Sequence, residues 1–248
     1  GDGVVANKKK DAFLNFVKDA GLVVYNKANG GDKYTKNEPN DLAKRLFLLG
    51  SDSSVSWGIM LSNLAYTPEI GWFIKNITPH EKYTPDQVKY MLESVMEGDT
   101  KGLGKRNITD AFKMLLIKTP LGEEFGLGRC EYDEKVSANG IETITLHSFY
   151  RDSWKAPDPI VVLYSLYKFA EACGDYYQFT LTRLLDHSID SDGISPTEIF
   201  GLDRDTMMKL LNGLSINHPD FITASFTLDL DSITLNPDKT SADVLALL

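Results

Sequence analysis

Several absences bound what this chain of 248 residues can be. It contains no run of about 18 consecutive apolar residues, so no membrane-crossing helix is expected. Cysteine is scarce. Cys130 and Cys173 stand far apart, match no metal or redox spacing, and read as two small buried side chains in a reducing compartment. The four histidines, His80, His147, His187 and His218, include no pair at zinc-ligand spacing. The start, Gly1-Asp2-Gly3, has neither an apolar signal core nor an initiator Met. The expectation is therefore a cytoplasmic fragment of a longer protein, with Gly1 a tag remnant.

Positive charge is also short, and unevenly so. Composition is that of an ordinary globular protein, 42% hydrophobic and 25% charged, which excludes wholesale disorder. The net charge of −9 divides into 19 basic against 20 acidic residues over 1–150 and 7 against 15 over 151–248. Affinity for nucleic acid rests on neutralising phosphates. Any contact with DNA is thus expected in the first half, and a protein partner for the acidic second half.

What is present is periodicity. A helix with Leu42, Leu46 and Leu49 on one face is expected after a polar, loop-like stretch that runs to Pro39. Trp57, Met60, Leu61 and Leu64 mark another. Pro68 is expected to break that pattern, leaving Ile70, Trp72, Phe73, Ile74 and Ile77 as a compact apolar cluster. Residues 1–82 form a helical N-terminal region on this reading. Thr84-Pro85-Asp86-Gln87 is a helix start, because Thr and Gln can satisfy each other's free amides while Pro loses no bond at the first position. Val88, Met91 and Leu92 then face inward. Asn107 is expected to cap a second helix, and a hairpin over 130–149 turns at Ser137-Ala138-Asn139-Gly140.

The order repeats across 151–248. Asp158 caps a helix from Pro159 to Ala172, and Tyr176 to Leu185 reads as a second. Ser195-Pro196-Thr197-Glu198 is another capping box. Asp203 caps a helix carrying Met207, Leu210, Leu211 and Leu214 inward, alternating runs cover 222–230 and 232–235, and a closing helix covers 241–247. The predicted class is α+β and mostly helical. Winged helix-turn-helix-like units with β-hairpin wings are expected over 83–150 and 151–248.

Within the second half, Tyr150-Arg151-Asp152-Ser153-Trp154, the helix Leu163 to Glu171, Gly193-Ile194-Ser195-Pro196 and Ile199-Phe200-Gly201-Leu202-Asp203 carry a resemblance. Together with Leu214-Ser215-Ile216-Asn217 and Phe221-Ile222, they resemble the C-terminal region of large bacterial proteins of the phosphoadenosine phosphosulfate (PAPS) reductase family. In that family a separate N-terminal domain carries the chemistry, on a Ser-Gly-Gly-type loop that this chain lacks. The resemblance implies a module of a multidomain protein, with a link to DNA sulfur modification and phage defence by analogy.

No constellation for catalysis stands out. Gly98 to Gly104 leaves five residues between, and Arg106 replaces the hydroxyl that a phosphate loop places on Mg²⁺, so no nucleotide site is expected. The same stretch places Lys101, Lys105 and Arg106 just before the helix at Asn107, where free amides favour an anion. These three are the candidate nucleic-acid contacts. Asp190-Ser191-Asp192-Gly193 begins like a calcium loop, but its last position would be Ile199 rather than Glu and its first Ser188. Asp203 with Asp205 and Asp229 with Asp231 could serve metal chemistry, yet sit where a helix start and a strand face ordinarily place acids. No Ser, His and Asp trio has a nucleophile-elbow context. The expectation is a non-catalytic recognition module with no cofactor and no metal; the alternative is a part contributed to a nucleotide-sulfur active site.

Overall fold

A computed structural model of the chain describes residues 12–26, 36–95, 105–138, 140, 142–189, 191–227 and 230–248. The first elements are helix α1 (12–19), an antiparallel pair β1 (Val23–Asn26) and β2 (Lys36–Pro39), α2 (Asp41–Leu49) and α3 (Ser54–Leu64). Next come α4 (Pro68–Asn76), β3 (Lys82–Tyr83), α5 (Pro85–Val95), α6 (Lys105–Ile117), β4 (Gly128–Val136) and β5 (Glu142–Arg151). Their strands form an antiparallel sheet in the order β3-β5-β4. The third set is α7 (Pro159–Ala172), β6 (Gln178–Phe179), α8 (Leu181–Leu185), α9 (Pro196–Phe200), α10 (Arg204–Asn217), β7 (Ile222–Thr227) and β8 (Leu230–Leu235). Its sheet is again antiparallel, in the order β6-β8-β7. Helix α11 (Ser241–Val244) and a 3₁₀ turn (Leu245–Leu247) close the chain. The protein is α+β, with small antiparallel sheets among many helices.

Local chemistry sets most helix starts. The Asn40 side chain accepts from the Ala43 amide at 2.9 Å and opens α2. The Thr84 amide donates to Gln87 Oε1 at 2.7 Å while the Gln87 amide reaches Thr84 Oγ1 at 3.3 Å, the reciprocal arrangement expected from the sequence. Ser195 and Glu198 form the same box at α9, and Asp203 accepts from Thr206 at 2.8 Å to start α10. Gly201 ends α9 in the left-handed region, at φ 67°.

Some expectations change. Pro68 begins a helix instead of only ending one: as the first residue of α4 it gives up no hydrogen bond. The polar run before Pro39 ends in a strand, β2, because β1 offers it a partner. The segment 176–185 is not one helix. Gln178 and Phe179 pair with Thr234 and Ile233 of β8, and Thr180 then caps the short α8. Pairing with a distant strand outweighs the local apolar pattern.

Helix α7 lies at the centre. Val161 through Tyr167 are all buried, with Phe169 and Ala170, as befits a helix apolar all round. Helix α3 crosses it closely at Gly58, where a Cβ would lie 2.6 Å from Val161 Cγ1. Tyr167 adds polar anchorage, its hydroxyl lying 2.9 Å from the Phe221 carbonyl and 3.1 Å from that of Asn236. Buried side chains from Ala20 to Leu245 form one contiguous cluster. Strand β3 straddles the expected boundary between residues 82 and 83, and β5 the one between 150 and 151.

Two substitutions probe this packing. Leu211 of α10 is fully buried, so Leu211→Ala is expected to lower unfolding free energy by about 2–5 kcal/mol in urea titration. Gly58→Ala forces a methyl against Val161 and the Trp154 ring, and a loss of about 1–3 kcal/mol is expected in the same assay.

Candidate functional site

The basic stretch singled out in the sequence meets a helix start, though one earlier than expected. Lys105 and Arg106 form the opening turn of α6, which contains no acidic residue, and Asn107 lies inside the helix rather than capping it. Lys101 lies outside the described residues. Farther along, the cations are taken. Lys113 pairs with Asp110 at 2.7 Å, and Lys118 reaches Glu142 at 3.2 Å and Glu134 at 3.5 Å.

Those last two contacts fasten the end of α6 to the β4–β5 hairpin. The hairpin runs far beyond the two-residue β3, so its outer part is a two-stranded ribbon. Its register shifts between Glu131 and Tyr132. The turn has Gly140 at φ 71°, and Asn139 lies outside the described residues. The ribbon is acidic at several points. Glu131 holds Lys82 at 2.6 Å, Asp133 holds His147 at 2.9 Å, and Glu134 and Glu142 hold Lys118.

Of the acidic pairs in the second half, each described member has a local role. Asp203 serves as a cap, and the amide hydrogen bond from Thr206 holds its carboxyl below the usual range. Asp205 sits in the first turn of α10, where the helix field favours it. Asp231 is bound to Arg204 at 2.8 Å. Asp190 and Asp229 lie outside the described residues. Among those described, no group of three or more His, Cys, Asp or Glu side chains is placed to hold a metal. The calcium-like stretch is instead a turn into α9, with the Ser191 hydroxyl donating to the Gly193 carbonyl at 2.8 Å.

Both cysteines are free and half-buried rather than buried. Burial pushes the Cys130 thiol up to about 12, away from a reactive thiolate. Beside Cys173 a cleft of about 770 Å³ opens between α7, β6, α8 and β8, lined by Phe169, Tyr176, Phe179, Arg183 and Asp192 among others. The Arg183 guanidinium lies 5.6 Å over the Phe169 ring.

One cluster was not legible in the sequence. His80, in the connection from α4 to β3, meets Asp152 and Ser153, which follow β5. The distances are 3.1 Å from His80 Nε2 to Ser153 Oγ and 3.5 Å from His80 Nδ1 to Asp152 Oδ1. Arg129 grips the other oxygen of Asp152 at 2.9 Å. More than seventy residues separate the histidine from the other two; the pairing of β3 with β5 and the His80 amide donating to the Arg151 carbonyl bring them together.

Comparison with known proteins adds no assignment: the chain matches no protein family, no curated protein and no solved structure.

His187 supplies a test of the electrostatics around α9. Its Nε2 lies 3.2 Å from Thr197 Oγ1, and burial draws its pKa below the ordinary histidine value despite nearby Glu198. The unfolded chain therefore binds a proton that the folded chain refuses, beginning near the ordinary histidine pKa of about 6.5 and extending below it. Folding stability should fall as pH drops through that window. His187→Gln, which keeps a polar group toward Thr197, should flatten this slope in urea titrations across pH; an unchanged slope would assign the acid sensitivity elsewhere.

Proposed function

We propose that the chain is a recognition and assembly module built from two winged helix-turn-helix units in tandem, part of a multidomain protein. The observation that carries this reading is a topology made twice. In each half a helix leads to a short strand, further helices follow, and a hairpin ends the unit. The short strand pairs in each case with the hairpin's last strand. On this reading the helix before the hairpin serves recognition and the hairpin serves as a wing. On this assignment α6 and α10 are the recognition helices, and α9 is an addition between the helices of the second unit.

Charge divides the labour between them. Lys101, Lys105 and Arg106, close together in the sequence at α6, are the cations assigned to nucleic-acid phosphates. The second unit, 7 basic against 15 acidic residues over 151–248, repels phosphates and suits a protein partner. The likeness of Tyr150 onward to the C-terminal region of PAPS reductase family proteins supports a place beside a catalytic domain, in DNA modification or phage defence.

Phosphate contacts release counterions, so each cation removed should lower the slope of log affinity against log salt by about 0.9. Fluorescence anisotropy with labelled duplexes of unrelated sequence, at several salt concentrations, should show weak binding to all of them. Lys105→Ala combined with Arg106→Ala should weaken every one and flatten the salt dependence. No binding by the unaltered protein at low salt would overturn the nucleic-acid half of the proposal. An unchanged slope in the double variant would show that the contact lies on another surface.

A further inference from the structure

The cluster of His80, Asp152 and Ser153 supports more than fastening one loop to another, and the inference stands independently of the recognition role. We propose that Ser153 is an activated nucleophile, with His80 as its general base and Asp152 as the group that orients His80, acting on small activated esters.

The roles follow from which atoms face one another. His80 Nε2 lies 3.1 Å from the Ser153 hydroxyl, so it accepts that proton when the imidazole carries its hydrogen on Nδ1. The Asp152 carboxylate faces Nδ1 at 3.5 Å and favours that tautomer. Arg129 fixes Asp152 in turn through its other oxygen, and the Arg129 guanidinium rests 4.2 Å over the Tyr150 ring. Such a trio is recognised by geometry and role, not by the order of its members in the chain. A contact of 3.5 Å without substrate is within the range that tightens when substrate binds.

The backbone around the trio is clamped. The Asp152 amide donates to the Leu127 carbonyl at 2.8 Å and the Trp154 amide to that of Phe200 at 2.9 Å, which fixes the chain on both sides of Ser153. His80 is held in the left-handed region, at φ 69°, with its amide donating to the Arg151 carbonyl at 2.6 Å. This conformation is uncommon for a residue with a side chain, and it recurs at functional sites. Gly201 also matters: a Cβ there would lie 3.2 Å from both Cα and Oγ of Ser153. The side chain of His80 is 67% exposed, so a small electrophile reaches the pair from solvent.

The chemistry is ester hydrolysis in two halves. Ser153 Oγ forms a bond to the acyl carbon as its proton passes to His80 Nε2. The bond from that carbon to the leaving oxygen then breaks, and His80 returns the proton to the departing alkoxide. Water repeats the sequence on the acyl-serine, giving the free acid and restoring the hydroxyl. A fluorophosphonate tests the first half, since Oγ displaces fluoride and remains bonded to phosphorus.

The measurement is the rate of fluorophosphonate labelling on the whole chain, with the adduct mapped by peptide mass spectrometry and folding checked by circular dichroism. A single adduct on Ser153 is expected, absent from Ser153→Ala. His80→Asn removes the base while keeping a residue that tolerates positive φ, and should slow labelling about 100-fold or more. Asp152→Asn should slow it as well and alter its pH profile, which a purely structural contact would not do. No adduct on Ser153, or equal rates in the unaltered protein and folded His80→Asn, would overturn the proposal.

Discussion

A buried guanidinium hydrogen-bonded to backbone carbonyls ties distant parts of this structure together. Arg151 ends β5 and is 2% exposed, a placement that costs several kcal/mol for an unsatisfied charge. Its compensation is a set of carbonyls. One nitrogen donates to Ile74 and Ile77 at 2.6 and 2.8 Å, at the C-terminal end of α4, and the other donates to Glu198 of α9. Helix C-termini concentrate negative partial charge, so the two terminal nitrogens are solvated by backbone dipoles in place of water, while Nε is buried without a hydrogen-bond partner. The Phe73 ring lies 5.7 Å away. Burial draws the guanidinium down to about 10, which leaves it protonated at neutral pH. The residue joins the last strand of the first sheet to helices on both sides of it.

The same economy of charge shapes the surface. Cations of α6 beyond its first turn are spent on Asp110, Glu134 and Glu142. These exposed pairs contribute little to stability. Arg204 is held likewise by Asp231.

Helix starts were legible because their chemistry is local. Ser195 with Glu198, Thr84 with Gln87 and Asp203 with Thr206 each satisfy amides within one turn, so three or four letters suffice to place them. The hairpin around Gly140 was legible for the same reason. The segment 176–185 was not, since Gln178 and Phe179 are strand only through partners at Thr234 and Ile233. Arg151 gave no local sign of burial: its acceptors lie 77, 74 and 47 residues away. His80 and Ser153 were invisible together for the same reason. Of the candidate cations, Lys105 and Arg106 fell where a helix start was expected nearby, and Ser191 to Gly193 of the calcium-like motif proved to be the approach to a cap.

The clamp at Arg151 also bears on how the molecule would engage two targets at once. With the side chain fixed to α4 and α9 and its carbonyl accepting from His80, the passage from β5 toward α7 is poorly suited to serve as a hinge. On the recognition role proposed above, two surfaces joined in this way would present a preset span and angle. Engagement of the second then costs little additional ordering entropy, and the effective concentration is high for a target of matching spacing. For a target whose two contact points lie at the wrong distance, the same inflexibility removes the avidity altogether.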